Sequence, residues 1–364
     1  MRALAESRAE VVALPDVDPM SRRSRWYRAA PSLVGVTPGT LAARLETLPS
    51  PTVLIPCSDA WVRAVATLSP TLRQRFPTSV APLEAVDLLI DKSRFRAALE
   101  RLGVPHPRTQ TLSGPADLDR LPDAVIANSF LKPVGSQEFF ARFAVKAFMT
   151  TGRLDMREKL ATATGEGFEM MLQEYVPGPP SSHYFVDGFV DRNGVFRARF
   201  ARRRLRMNPP DFGNSTLMVS VPLSEVAQAS DTLDTLFADI RYRGIFSAEF
   251  KRDARDGTFK LIEVNARPWW YVEFAARCGV NVCELAVQDA LGEKVSTITE
   301  YQAGRVCVFP YYDLAAARVD RSAGRLSALD WMRSWVGSYQ PVFRWSDPLP
   351  AAGEVAQILR RRFT

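Results

Sequence analysis

Two short runs within residues 244–265 carry acidic side chains at a spacing that can hold a cation. If each run is a strand, its side chains alternate between faces with a period of two. Glu263, Asn265 and Arg267 then share one face, and Ile262 and Val264 take the other. In the preceding run Ser247, Glu249 and Lys251 share a face opposite Phe246, Ala248 and Phe250. Asp256-Gly257 between them is a hairpin signal. Pairing the runs symmetrically about Asp256 sets Glu249 opposite Glu263. Like charges directly opposed on a sheet are destabilising. A divalent cation reverses that penalty, and two carboxylates with one amide oxygen suit Mg²⁺, whose other positions go to water and phosphate. A solvated hairpin face would carry the same residues, so the pattern leaves both readings open.

Cations at other points could complete such a site. Lys132 ends the run 125–131 and precedes a proline, an unusual setting for an ordinary surface lysine. Lys92 follows Asp91 at the start of a helical pattern. Ammonium groups at these positions could neutralise phosphates as compact point charges. Arg204 and Arg206 share one strand face and could bind phosphate or carboxylate bidentately; a basic surface strand is the alternative.

The elements that must position these residues can be read from periodicity and punctuation. Residues 91–103 give the cleanest helix: Asp91 at the N-cap, Phe95, Ala98, Leu99 and Leu102 on one face, Gly103 as the stop and Pro105 beyond. Residues 124–178 contain several short strands, and residues 184–206 read as two strands around Asn193-Gly194. Residues 224–241 are helical, and residues 275–291 contain helical segments. Residues 1–90 read as alternating short strands and helices, with residues 53–56 as a buried parallel strand and residues 41–48 as a helix. The tail from about residue 300 is rich in Trp and Pro and is expected to close the fold irregularly.

Composition narrows the class. A chain of 364 residues holds two or three structural units. It has no apolar run long enough to span a bilayer and no apolar core of a signal peptide at its start, so a cytoplasmic location is expected. Its four cysteines, Cys57, Cys278, Cys283 and Cys307, lack metal-ligand spacing, and its two histidines, His106 and His183, speak against a histidine zinc site. The net charge of +7 is modest, with one dense basic cluster at Arg202, Arg203, Arg204 and Arg206.

Five segments, in order, resemble the motifs of the ATP-grasp superfamily. They are Ile90-Asp91-Lys92; Phe130-Leu131-Lys132-Pro133; Gln173-Glu174-Tyr175-Val176-Pro177-Gly178; Arg204-Leu205-Arg206 with Pro209-Pro210, Gly213, Ser215 and Thr216; and Glu249-Phe250 followed by Glu263-Val264-Asn265-Ala266-Arg267. The likeness is strongest to the D-aspartate-ligase-like, carboxylate–amine ligase branch and covers residues 50–292. It implies an α/β fold with two α+β lobes gripping ATP over residues 91–296. A Rossmann-like unit over residues 1–90, lacking its first strand, would precede the lobes, and a C-terminal extension over residues 297–364 would follow.

The resemblance also implies roles. ATP and Mg²⁺, with Mn²⁺ as a substitute, are the implied cofactors. Lys92 and Lys132 would hold phosphates. The adenine would lie at Gln173, Glu174, Tyr175 and Val176. Glu249, Glu263 and Asn265 would hold the metal. Arg267 would stabilise charge on the transferring phosphoryl group. Arg204 and Arg206 would face the reaction centre, and Ser215 and Thr216 would line the acceptor pocket. The superfamily carries a glycine-rich lid after its second lysine, whereas residues 133–139 contain one glycine; Ser136 would substitute, and Lys146 on a following strand would add charge.

The implied reaction joins a small carboxylate to a small amine through an acyl phosphate. Two rivals belong to other classes: a nucleotide-binding protein without ligase activity, and a nucleic-acid-binding protein using the arginine cluster. No membrane partner is expected, and a homodimer stays open.

Overall fold

A strand in a parallel layer needs neighbours, and the described residues of 1–90 supply no more than an isolated bridge. The computed structural model describes every residue except Glu6, Arg8, Asp16, Asp18, Pro210, Asp211 and Thr364, and every side chain except those and the side chains of Ser136, Gln137 and residues 357–363. Among the described residues the first named strand begins at Thr109. Ahead of it lie short helices such as Leu41–Leu45, Asp59–Ala66 and Leu83–Ile90, and one isolated parallel bridge between Ala13 and Ala29. Residues 53–56 form no strand. Leu54 N donates to Pro77 O at 2.9 Å and Leu54 O accepts from Thr78 Oγ1 at 3.0 Å, both loop contacts. Pro51, Pro56 and Pro77 each lack the N–H a ladder requires. The expected Rossmann-like layer is therefore not confirmed; Leu41, Leu45, Val65, Leu68 and Phe76 instead form a small helical core.

The helix Lys92–Arg101 is the one its sequence predicts. Asp91 accepts from Ser93 N (2.9 Å) and Arg94 N (3.0 Å), satisfying two first-turn donors, while Phe95, Ala98 and Leu99 are buried. The first lobe follows: β1 (Thr109–Leu112), β2 (Ser129–Pro133) and β3 (Met170–Glu174) form an antiparallel sheet in the order β1-β3-β2. The helix Arg153–Gly165 covers it with Met156, Leu160 and Ala163. After β2 the segment expected as a lid forms the helix Ser136–Phe143. Phe139 of this helix is fully buried against Phe143, Phe148 and Phe168, with ring centroids 4.8, 5.0 and 5.4 Å away. Packed aromatic rings thus anchor a segment that contains one glycine. The strand expected around Lys146 reduces to an isolated bridge between Leu131 and Phe148.

The second lobe is a six-stranded antiparallel sheet in the order β8-β7-β4-β5-β6-β9. Its strands are β4 (His183–Val190), β5 (Phe196–Asn208), β6 (Asn214–Val221), β7 (Gly244–Arg252), β8 (Phe259–Asn265) and β9 (Val306–Val308). Hairpin symmetry predicted the register: Glu249 pairs with Glu263 and Ser247 with Asn265. Below Glu249 the register slips by one residue, so Phe250 faces Leu261. One sheet face is apolar. Tyr184, Val186, Ala201, Phe246, Ala248 and Phe250 pack there on the helix Ala227–Asp239 and on the helices at Leu83–Ile90 and Lys92–Arg101. Phe185, Asp187, Arg202, Arg204, Ser247 and Glu249 alternate onto the other face.

The tail is regular, contrary to expectation. β9 pairs with β6, Leu217 facing Val308, and the helices Pro310–Ser322, Ala328–Trp335 and Leu349–Phe363 follow. Asp313, fully buried in the first turn of the Pro310–Ser322 helix, is the anchor. It accepts from Arg206 Nε (2.9 Å) and Nη2 (2.7 Å), Thr216 Oγ1 (2.8 Å), Trp331 Nε1 (3.0 Å) and Trp335 Nε1 (2.8 Å). The two tryptophans stand four residues apart, which puts both indoles on one helix face.

Burial works against the Asp313 charge, but Arg206, Trp335 and Thr216 outweigh it and hold the carboxyl below the usual aspartate range. Asp313→Asn is expected to lose about 3–5 kcal/mol, the scale for removing one charge of a buried pair. Thermal unfolding should show a lower Tm and tryptophan emission should shift. Since the folded pKa lies under the unfolded value of about 3.9, the stabilisation is complete above that value and is lost as pH falls through the folded one. The Tm gap between wild type and variant should therefore be flat at neutral pH and close in acid; a gap independent of pH down to full protonation would refute this account.

Candidate active site

β5 brings three guanidinium groups to the polar sheet face, and each is buried: Arg202 at 3% exposure, Arg204 at 5% and Arg206 at 7%. Buried cations need partners. Arg202 donates to Asp187 Oδ2 (2.7 Å), Ser247 Oγ donates to the same carboxylate (2.6 Å), and the Phe185 ring lies 3.8 Å from the guanidinium. Arg204 Nη2 donates to Glu249 Oε1 (3.1 Å) and its Nε to Ser215 Oγ (2.8 Å). Arg206 is taken by Asp313 and, through Nη2, by Ser334 Oγ (2.8 Å). Arg203, on the opposite face, pairs with Glu225 at 3.1 Å. The cluster that suggested a basic surface strand is internal and neutralised, which removes the basis of the nucleic-acid reading.

Glu249 is the hub between the arginines and the acidic hairpin. Burial favours its neutral acid, yet Arg204 and His183 outweigh burial and hold it well below the usual glutamate range. His183 Nδ1 lies 2.8 Å from Glu249 Oε1. An ionised carboxylate only accepts, so the imidazole donates from Nδ1; burial, its first cause, lowers the His183 pKa and keeps the ring neutral. Sequence reasoning missed His183; the signal was its period-two phase with Phe185 and Asp187. Glu263 is exposed and accepts from Asn265 Nδ2 (3.1 Å), and Asn265 Oδ1 accepts from Arg267 Nη2 (2.8 Å). Arg267 Nε donates to Asp59 Oδ1 (2.6 Å), a second residue missed in the sequence.

A magnesium ion fits this donor set. Arg204 and His183 both engage Oε1 of Glu249 and Asn265 engages Oε1 of Glu263, which leaves the Oε2 atoms of both opposed carboxylates without a partner among the described residues. Two hard oxygens and the Asn265 amide oxygen are what that cation prefers. Among the described residues no group of three or more His, Cys, Asp or Glu side chains is placed to hold a metal ion, so the candidate set rests on two carboxylates and one amide oxygen.

Lysines from the first lobe face this pair. Only seven of the 47 basic residues are lysine, and five of them, Lys92, Lys132, Lys146, Lys251 and Lys260, lie at the cleft or its hinge; this scarcity was a signal in the sequence. Lys92 Nζ donates to Pro133 O (2.8 Å) and Val134 O (2.6 Å). Burial first, and Lys132 second, push the Lys92 pKa down to about 8, while Glu263 opposes. Lys146 Nζ donates to Asn214 Oδ1 (2.8 Å); burial lowers its pKa against the pull of Glu249 and Glu263. Lys132 is paired with Met171 through the β2–β3 ladder, while its ammonium group has no hydrogen bond or ion pair among the described residues. Ser136's side chain and Pro210 lie outside the described residues.

At the hinge, Gln173 Nε2 donates to Thr109 Oγ1 (3.1 Å) and Val176 is buried. Glu174, expected as an open acceptor, takes Arg108 N (3.0 Å), Lys260 Nζ (2.9 Å) and Arg255. Burial opposes its charge, but these donors hold its pKa low and tie the first lobe to the hairpin of the second. Tyr175 forms a ring wall with Phe130 (6.5 Å) that continues to Phe212 (4.6 Å from Phe130), and Lys251 Nζ lies 4.7 Å from the Tyr175 ring. Ser215 contacts Arg204 and, through its backbone oxygen, Tyr271 Oη; Thr216 is held by Asp313.

No family model matches the chain. It is 23% identical over 257 residues to D-aspartate ligase of Enterococcus faecium, across 68% of this chain and 61% of that protein. The chain thus spans less than two thirds of the length of this relative. Its architecture is similar to that of biotin carboxylase from Campylobacter jejuni (TM-score 0.63, 15% identity, 84% of this chain and 70% of that one). It is also similar to L-amino acid ligase from Bacillus licheniformis (TM-score 0.57, 15% identity, 84% and 74%). The protein has the ATP-grasp fold. Glu263 acts electrostatically on Lys92, Glu249 and Glu263 both act on Lys146, and Lys132 lies close enough to repel both of those lysines. No described helix is long and apolar enough to cross a membrane.

The depressed Lys92 pKa can be read directly. Amine-directed acylation scored by mass spectrometry should find Lys92 half-reactive near pH 8, against about 10.4 for an ordinary lysine. Lys132→Met should move that midpoint upward by removing the like charge. A midpoint of ordinary value, or one indifferent to Lys132, would sink this electrostatic picture.

Proposed function

We propose that the protein is an ATP-dependent carboxylate–amine ligase that forms an amide bond through an acyl phosphate and releases ADP and phosphate. The observation that carries this reading is the convergence of three lysines over an opposed pair of carboxylates within an ATP-grasp fold. The match to a D-aspartate ligase supports it.

On this reading the triphosphate lies between Lys92, Lys132 and Lys146, and adenine lies against Tyr175, Phe130 and the backbone of residues 173–176. Magnesium, held by Glu249, Glu263 and Asn265, supplies charge neutralisation at the phosphate oxygens when bound. A substrate carboxylate oxygen forms a bond to the γ-phosphorus as the bond to the ADP oxygen breaks. Arg267 stabilises the charge on the transferring group. The amine nitrogen then attacks the acyl carbon, its proton passes to solvent, and phosphate leaves. Arg204 sits between Glu249 and Ser215, a place from which it orients the carboxylate and stabilises the tetrahedral oxyanion. Neutral His183 keeps Glu249 ionised and aimed.

The direct test is ADP release across a panel of carboxylate and amine pairs with ATP and Mg²⁺, with the amide product identified by mass spectrometry. Nucleotide binding without acid- and amine-dependent turnover would replace this reading with that of a nucleotide-binding protein lacking ligase activity.

Two variants probe the assignment. Lys132→Ala should weaken nucleotide affinity by about 1–3 kcal/mol, the scale of a charge-assisted hydrogen bond; calorimetric titration showing unchanged affinity would move the phosphates elsewhere. Glu263→Gln should lose nearly all ADP formation. Its metal-free stability should stay within about 0.5 kcal/mol of wild type, as for an exposed side chain. The relief of Glu249 and the lost attraction to Lys92 and Lys146 offset each other. Near-normal activity of this variant with Mg²⁺ would make Glu263 structural.

A further inference from the structure

The proposed reaction leaves one conspicuous surface unused. Three residues beyond Arg267 the chain exposes Trp270 (64%), and the first turn of the Pro310–Ser322 helix exposes Tyr311 (46%) and Tyr312 (43%). Buried Phe309 joins them: its ring lies 5.6 Å from Trp270 and 6.5 Å from Tyr312, and Tyr312 lies 5.4 Å from Tyr311. The strip is joined to the candidate site through a chain of packed side chains and backbone groups. Phe309 N donates to Thr216 O (2.8 Å) and its ring packs 5.1 Å from Tyr271, whose hydroxyl donates to Ser215 O. Ser215 is the residue that holds Arg204.

The buried arginines and Arg267 on this side are already matched. Arg202 belongs to Asp187, Arg206 to Asp313, and Arg267 to Asp59 and Asn265. Arg204 is the exception, because its partner Glu249 belongs to the proposed metal site. The tail thus does two things at once: Asp313 withdraws a cation that could have bound a second substrate carboxylate, and Phe309, Tyr311 and Tyr312 put aromatic surface beside it. An anionic side chain laid on that strip would be desolvated without a partner, which is unfavourable. An apolar or aromatic one would bury surface.

We infer that the acid activated by this protein is a monocarboxylate whose aromatic or large apolar body lies on Trp270, Tyr311 and Tyr312, rather than a dicarboxylate. This rests on the ligase reading above. The experiment measures ADP release by the full chain with ATP, Mg²⁺ and a fixed mixture of amines. The acids are both enantiomers of phenylalanine, tryptophan and leucine, compared with those of aspartate and glutamate. At least one aromatic or apolar acid is expected to exceed the dicarboxylates in kcat/KM by about tenfold or more, a difference of about 1.4 kcal/mol. Trp270→Ala should raise KM for that acid by a similar factor with KM for ATP unchanged, and Trp270→Phe should restore most of the loss. Preference for aspartate or glutamate, or a KM indifferent to Trp270→Ala, overturns the inference while the ligase reading stands. ADP release with no acid at all overturns the ligase reading, and this inference with it.

Discussion

A guanidinium group cannot stay inside a protein without an anion, and β5 carries three of them on one buried face. Much of the second lobe can be understood as the answer to that demand. β4 supplies Asp187 for Arg202, β7 supplies Glu249 for Arg204, and the C-terminal helix supplies Asp313 for Arg206. The three pairs differ in what they leave over. Asp187 and Asp313 are wholly enclosed and fully engaged. Glu249 is half-buried and keeps one oxygen turned away from both Arg204 and His183. The middle rung of the ladder is therefore the one with capacity for chemistry, and its neighbours above and below are closed. Buried ion pairs add little net stability over apolar packing, so this arrangement is better understood as fixing positions than as strengthening the fold.

The two lobes meet through charges of opposite pattern. Lys92 ties the helix that starts the first lobe to the end of β2, and Glu174 ties β3 to Lys260 of β8. Both contacts flank the cleft without filling it. Burial first, and crowding against Lys132 second, lower the affinity of Lys92 for a proton; the second part is a like-charge repulsion that a bound anion would relieve.

Local rules made a definite part of this legible in the sequence. The Asp91 cap, the helix it starts and the hairpin itself follow from spacing, because each depends on residues close in the chain, although the one-residue slip below Glu249 does not. The expected position of Glu249 across from Glu263 is found for the same reason. What escaped was non-local. That Arg206 and Thr216 would be occupied by Asp313 cannot be read from a strand pattern, since the partner lies 107 residues away. Nor could the pairing of Glu174 with Lys260 and Arg255, or of Arg267 with Asp59, be seen from either end. The Rossmann-like expectation for residues 1–90 is not confirmed, on a different ground: the apolar run 53–56 stands beside three prolines and joins no ladder among the described residues. The glycine-poor lid became intelligible only when Phe139 was seen to be locked among three other rings.

The distance between Arg206 and Asp313 also has a consequence in time. A chain emerges from the ribosome at roughly 5–20 residues per second, so the 107 residues that separate the two take on the order of 5–20 s to follow. Throughout that interval β5 exists without the anion that allows Arg206 to be enclosed, and β6 exists without β9 along its edge. The nascent sheet must keep that end hydrated and open to other strands. Enclosure of Arg206 thus waits for a stretch of chain made well after β5 itself, and the pairing of β6 with β9 waits with it.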